Sequence, residues 1–322
     1  MFVQSDRPFS RRDFHRRTLA ALGGAVAGGL VANSARAAAK QYPAGKYVDV
    51  HVHLGQAWVP NLAPLSVQSL LGWMDQRQVS QVVVLPLISP ESWYYVVSND
   101  WVLDQTSQHR QRLIPFCGID PRAVYVRGKV IARMLDRCRQ AGAKGLGEHK
   151  CGGPIDDPGN VAIFKACSDL KWPVMLHMDN IRNTDEPGLP ALERVLQAAP
   201  GAVFIGHATA WWSSIAVVSD KKELAGYPQG PIKPGGAIER LMDKYPNIYG
   251  DLSAGSGLNA IRRDPDFGRE FLIRRADRLL FGTDYLSEGQ KVDQFEFLES
   301  LDLPTDVQAK IFHDNARRIL DI

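Results

Sequence analysis

From residue 46 to residue 284 the chain alternates short, nearly continuous apolar runs with longer stretches whose apolar positions recur at helical spacing. The apolar runs are KYVDVHVHL (46–54), QVVVLPLI (81–88), RLIPFCGI (112–119), GAKGLGE (142–148), PVMLHM (173–178), AVFIGH (202–207), IYGDLS (248–253) and RLLFGTD (278–284). Between them lie SVQSLLGWMDQR (66–77), RGKVIARMLDRCRQ (127–140), NVAIFKACSDL (160–170), LPALERVLQAA (189–199) and GAIERLMDKY (236–245). Apolar runs of this length, separated by helices, predict parallel strands covered on both faces. An open doubly wound sheet and a closed (β/α)8 TIM barrel share that alternation. The strand count, and a length close to the usual ~250 residues plus insertions, favour the barrel. QAKIFHDNARRIL (308–320) predicts a C-terminal helical cap, and no linker divides residues 38–322, which read as a single α/β domain.

Polar residues at the strand ends sharpen the choice. Alternation in the first strand puts Asp49, His51 and His53 on one face and Val48, Val50, Val52 and Leu54 on the other. Glu148 ends the fourth strand, His177 the fifth and His207 the sixth; the seventh carries Asp251 and the eighth ends in Asp284. A barrel gathers those ends at one mouth and sets the last strand beside the first, whereas an open sheet keeps Asp284 far from His51 and His53. Imidazoles and carboxylates without thiolate suit a divalent ion such as zinc, or iron, manganese or nickel, in an open catalytic site. Cys117, Cys138, Cys151 and Cys167 have no CxxC spacing, which argues against a thiolate zinc site and leaves any disulfide pairing open.

The first 37 residues read as a leader rather than as part of the fold. Ser10-Arg11-Arg12 with Phe14, a Gly/Ala-rich apolar run from Leu19 to Val31, and Ala35-Arg36-Ala37 form a basic, apolar and cleavable sequence in that order. This resembles a twin-arginine signal, which implies the Tat export machinery as a partner and a periplasmic or secreted protein. The apolar run is too short for a stable membrane span, which takes about 20 residues. The leader holds six Arg and two Asp, so removing it turns the formal net charge from +3 to −1, and nothing points to a nucleic-acid partner.

DVHVHLG, GEHK, PVMLHMD, FIGHA, NIYGDLSAGSG, LLFGTDY and IFHDNARRIL together resemble the amidohydrolase superfamily. The similarity is to the branch of metal-dependent hydrolases that includes aminocarboxymuconate-semialdehyde decarboxylase, and it runs from about residue 46 to 320. The resemblance implies that His51, His53 and Asp284 bind one metal ion. In single-ion members the match to His177 completes that site and the match to His207 polarises substrate. In two-ion members the fourth-strand residue bridges, and the matches to His177 and His207 hold the second ion. Glu148 is accordingly either a bridging ligand or an acceptor that orients His53 or His177.

Lys150 shares the Glu148 face by alternation and is expected to contact a substrate anion, with Asp251 and Trp211 as further substrate contacts. The insertion WWSSIAVVSDKKELAGYPQGPIKPGG (211–236) is too long for an ordinary loop and reads as a flap over the mouth or a homo-oligomer contact. The expected activity is hydrolysis of an amide, ester or lactone in a small-molecule substrate. It would use metal-activated water, one or two ions and Asp284 as base. Non-oxidative decarboxylation of an unsaturated or aromatic acid is the alternative. A periplasmic binding protein without chemistry is the third reading.

Overall fold

The computed structural model describes residues 43–55, 63–123 and 128–322, and the expected export leader lies outside them. Eight parallel strands follow one another around a (β/α)8 TIM barrel: β1 Tyr47–Val52, β2 Val79–Val84, β3 Leu113–Pro115, β4 Leu146–His149, β5 Pro173–His177, β6 Val203–His207, β7 Ile248–Asp251 and β8 Leu279–Leu280. β1–β2–β3 form one ladder and β4 to β8 another. Backbone hydrogen bonds join the two ladders at both seams. Cys117 N donates to Gly145 O (3.0 Å) and Gly147 N to Cys117 O (2.8 Å) between β3 and β4. Val50 N donates to Phe281 O (3.0 Å), Asp284 N to His51 O (2.8 Å) and His53 N to Tyr285 O (3.0 Å) between β8 and β1.

Asp49 pins that second seam. Its carboxylate accepts from His51 N (3.0 Å), Thr283 N (3.1 Å) and Thr283 Oγ1 (2.6 Å), and it is fully buried. Removing it strands two backbone N–H groups and a hydroxyl, each costing about 1–3 kcal/mol when buried without a partner. Asp49→Ala is therefore expected to destabilise the fold by about 3 kcal/mol or more in urea unfolding, and Asp49→Asn, which keeps one acceptor, by less. An unchanged unfolding midpoint for Asp49→Ala would show that the seam does not depend on this residue.

Simple alternation does not survive in β1. Val48 and Val50 belong to the inner core, with Val83, Leu85, Ile114, Phe116, Met175, Ile205, Tyr249 and Leu280, whereas Val52 and Leu54 belong to the outer core between strands and helices. The strand register shifts between Asp49 and Val52, where β1 advances three residues against two of β2. Such a bulge re-aims every side chain beyond it. The lower part of β1 thus turns valines inward and the upper part turns histidines inward. β4 uses the same device: Leu146 pairs with Val174 and His149 with Leu176, all on the outer side, and the intervening shift leaves Glu148 facing the centre. Gly147 makes this possible, because at φ 137° a Cβ would stand 2.7 Å from Met175 Cβ and 2.8 Å from its carbonyl oxygen.

The expected C-terminal cap is present as Thr305–Ala309, a wider turn over Lys310–Asp314 and Asn315–Leu320. Ala316 and Leu320 pack into the inner core. All four cysteines are buried free thiols. No described helix is long and apolar enough to cross a membrane.

Candidate metal centre

The ends of five strands deliver the site. His51 and His53 come from β1, Glu148 from β4, His177 from β5, His207 from β6, and Asp284 from the turn after β8, where it adopts φ 57°. His51 Nε2 and His53 Nε2 lie 3.1 Å apart. Asp284 Oδ1 stands 3.5 Å from the first and 3.6 Å from the second. Glu148 sits in the middle: Oε2 is 3.5 Å from His53 Nε2, and Oε1 is 3.9 Å from both His51 Nε2 and His207 Nε2. Its Oε1 also meets His177 Nδ1 at 2.6 Å. These groups form overlapping clusters of possible ligands, His51–His53–Glu148 and Glu148–His177–His207, with Glu148 common to both, and a third of His51–His207–Asp284.

The partners behind the rings decide which nitrogen faces inward. His53 Nδ1 lies 3.0 Å from the Leu85 carbonyl, which only accepts, so that nitrogen carries the hydrogen and Nε2 keeps its lone pair. His51 Nδ1 lies 2.8 Å from Asp251 Oδ2, and His207 Nδ1 lies 3.0 Å from the same oxygen and 3.0 Å from Ser253 Oγ. A carboxylate backing an imidazole fixes its orientation and raises its basicity toward a metal. Two lone pairs aimed at each other across 3.1 Å repel unless a cation or a proton lies between them. With four imidazole nitrogens and two carboxylates converging, the donor set fits a divalent ion.

The electrostatics carry the same imprint. Burial pushes the His53 imidazole down to about 4. At His51 burial also disfavours the charge, but Asp284, Asp251 and Glu148 outweigh it and lift the ring to about 9. One proton thus settles on the pair in the absence of metal. Burial alone would raise the Glu148 carboxyl, yet the Lys150 and His177 charges hold it well below the usual carboxylate range. Asp251 is likewise held low, by its hydrogen bonds from His207 and His51 against the effect of burial.

Two expected substrate contacts lie elsewhere. Asp251 is fully buried behind the histidines, where its oxygens take His51, His207 and the Ser253 hydroxyl (2.6 Å), so it orients the two rings instead of meeting substrate. Trp211 is fully enclosed in the core, its ring so close over Gly206 that a Cβ there would clash at 2.3 Å. It fills space between β6 and β7 and does not line the mouth. Lys150 does face the centre, with Nζ 3.3 Å from Glu148 Oε2 and 6.0 Å from the Trp93 ring centroid. His149 points outward, bonded to Asn160 Oδ1 at 2.9 Å.

The sequence reading passed over Asp179 and Ser253. Asp179 Oδ2 lies 3.0 Å from His177 Nε2 and 2.6 Å from Arg182 Nη1, which ties the fifth-strand histidine to a charged clamp. Its signal was its place two residues after His177 in LHMD. Ser253 carried none beyond a Gly/Ser-rich turn.

Comparison with known proteins agrees with this architecture. No curated protein matches the chain. Among solved structures, an uncharacterised TIM-barrel protein from Bordetella bronchiseptica superposes with a TM-score of 0.61 at 17% identity, over 85% of this chain and 98% of that one. A probable 2-pyrone-4,6-dicarboxylic acid hydrolase from Acinetobacter baumannii gives 0.59 at 13% identity, over 86% and 100%. 2,6-Dihydroxybenzoate decarboxylase from Rhizobium gives 0.54 at 15% identity, over 85% and 98%. At these identities the likeness is one of fold. The amidohydrolase family model matches residues 95–322, a stretch that holds Glu148, His177, His207 and Asp284 but begins after the two histidines of β1. By that match, over more than half its length, the chain belongs to the amidohydrolase family.

Proposed function

We propose that the protein is a metal-dependent hydrolase acting on an amide, ester or lactone of a small substrate, with zinc as the ion. The observation that carries this reading is the convergence of His51 and His53 Nε2, 3.1 Å apart, on Glu148 and Asp284. His51, His53 and Asp284 would hold one ion and His177 and His207 a second, with Glu148 shared. A bound divalent ion supplies nucleophilic water near neutral pH by lowering its pKa from about 15.7 toward 7.

Asp284 is the group placed to move the proton. Its side chain is a quarter exposed at the mouth, unlike the buried Glu148, so it reaches both an attacking water and a leaving group. His207 is better assigned to an ion than to the oxyanion. With Nδ1 committed to Asp251 and Ser253, the neutral ring has no hydrogen on Nε2 to donate. Lys150, cationic and partly exposed, is the donor that faces an anionic oxygen of substrate. We extend the proposal to export through the twin-arginine route, on the strength of Ser10-Arg11-Arg12 and the segment that follows.

Decarboxylation is the second reading, supported by Lys150 lying 3.3 Å from Glu148, which compensates its charge without a second ion. Elemental analysis of protein purified without added metal separates the two. About two divalent ions per chain, with lactone or ester turnover, is the expected result. About one ion, with carbon dioxide released from an aryl acid, favours decarboxylation, and metal-free folded protein indifferent to chelators overturns both.

A further inference from the structure

The insertion after β6 folds back on itself and leaves a cleft of its own. Val217 N donates to Lys233 O (3.0 Å), which joins its two arms, and Ser213 Oγ donates to Gly226 O (3.3 Å). Leu224 and Ile232 are buried. Ile232 N donates to Asp264 Oδ2 (2.9 Å), and this bond ties the insertion to the turn between the helices Ala254–Arg262 and Pro265–Arg274. Between the arms and that turn lies a cleft of about 260 Å³, lined by Ser213, Glu223, Gln229, Lys233 and Arg263 among others. Its size is close to that of the smaller ligand pockets of proteins, and none of the candidate metal ligands lines it.

Arg263 is the anomaly in this cleft. Its Nε and Nη2 are shut off from solvent, yet no acceptor among the described residues meets either. The carboxylate next to it in sequence, Asp264, is already engaged: Oδ2 takes Ile232 N and Oδ1 takes Phe267 N (3.3 Å). Burial pulls the guanidinium below its ordinary range, and only the Asp264 charge opposes that. Buried guanidinium nitrogens ordinarily have partners, because taking them out of water without an acceptor forfeits their hydration. Lys233, an exposed residue, brings a second positive charge to the lining. Against these two cations stands one carboxylate, Glu223, so the cleft keeps a net positive charge.

We propose that this cleft is an anion site separate from the metal centre, in which Arg263 and Lys233 hold a small oxyanion, a phosphoryl or carboxylate group. Guanidinium and ammonium groups are the usual binders of both. Lys233 belongs to the insertion and Arg263 to the turn after the helix Ala254–Arg262, so a bound anion bridges the two. The site stands independently of the reaction assigned to the metal centre.

The test is calorimetric titration of the metal-loaded protein with inorganic phosphate and, separately, with acetate. Saturable binding of at least one is expected, and the one that binds names the group. Arg263→Gln is expected to weaken that binding at least about tenfold, the scale of losing a charged hydrogen-bond donor. Lys233→Gln is expected to weaken it about threefold, as suits an exposed charge, and Glu223→Gln to tighten it. An anion held by a metal ion binds equally in all four proteins, so the difference between wild type and Arg263→Gln isolates the cleft. Unfolding curves without added anion check that each variant folds; should Arg263→Gln fail to fold, the Lys233 and Glu223 variants decide. Equal affinity in wild type and variants, or no binding of either anion, overturns the site. Binding gained only in Glu223→Gln also overturns it and makes Glu223 the internal counter-charge of Arg263.

Discussion

Asp284→Asn is expected to lower kcat/KM on a hydrolysed lactone or ester by about 10³-fold, within the 10²–10⁴ that a positioned base contributes. The carboxylate stands 3.5–3.6 Å from the two β1 histidines and opens to solvent, and its backbone is fixed by the bond from its N–H to the His51 carbonyl. The amide of asparagine nearly matches its shape but cannot accept a proton at neutral pH. Folding should survive, since the carbonyl of residue 284 keeps its bond from Gln290 Nε2 (2.9 Å) and the seam is carried by backbone groups and Asp49. Steady-state kinetics beside an unfolding curve checks this. A loss below about threefold would remove Asp284 as the base. A non-catalytic binding protein predicts something different: unchanged ligand affinity and no turnover to lose.

Asp251→Asn is expected to weaken metal binding by about 10–100-fold although the residue touches no candidate ion, which is the usual cost of removing an outer partner of a ligating histidine. A single oxygen, Oδ2, orients the rings of both His51 and His207. Oδ1 accepts from Ser253 N (3.0 Å), so an asparagine that keeps that bond turns its NH2 toward both rings. Each ring must then meet a donor with Nδ1, which moves its hydrogen to Nε2 and blocks the lone pair aimed at the centre. Competition with a fluorescent zinc chelator reads the affinity directly. Asp251→Glu is the control for simple disruption, and equal affinity for zinc in wild type and Asp251→Asn would detach the carboxylate from the metal centre.

Much of the fold was legible before any coordinates. Each apolar run falls on a strand, and Asp284 reaching His51 and His53 required only that the last strand neighbour the first. That His51, His53, Glu148, His177, His207 and Asp284 would meet was legible for the same reason: each stands at or just past the end of a strand that opens on one mouth. Local phase was not legible. Alternation assigned Val48 and Val50 to the face opposite His51 and His53, and the register shift in β1 put all four inward. Nothing in VDVHVH announces a bulge, because the pairing with β2 creates it.

The roles of Asp251 and Trp211 were misread for a related reason. Asp251 ends its strand like a catalytic carboxylate, but two imidazoles from other strands claim it first. Trp211 looked like a pocket wall until Gly206 and Gly250 supplied room for it inside. The helix Ala254–Arg262 also escaped notice, since its opening SAGSG reads as a turn.

The shifts in β1 and β4 divide each of those strands into two independently phased segments. Below the shift, side chains answer to close packing inside the barrel; above it, they answer to the cluster of imidazoles and carboxylates at the mouth. The same short ribbon serves stability and reactivity without forcing either to compromise for the other.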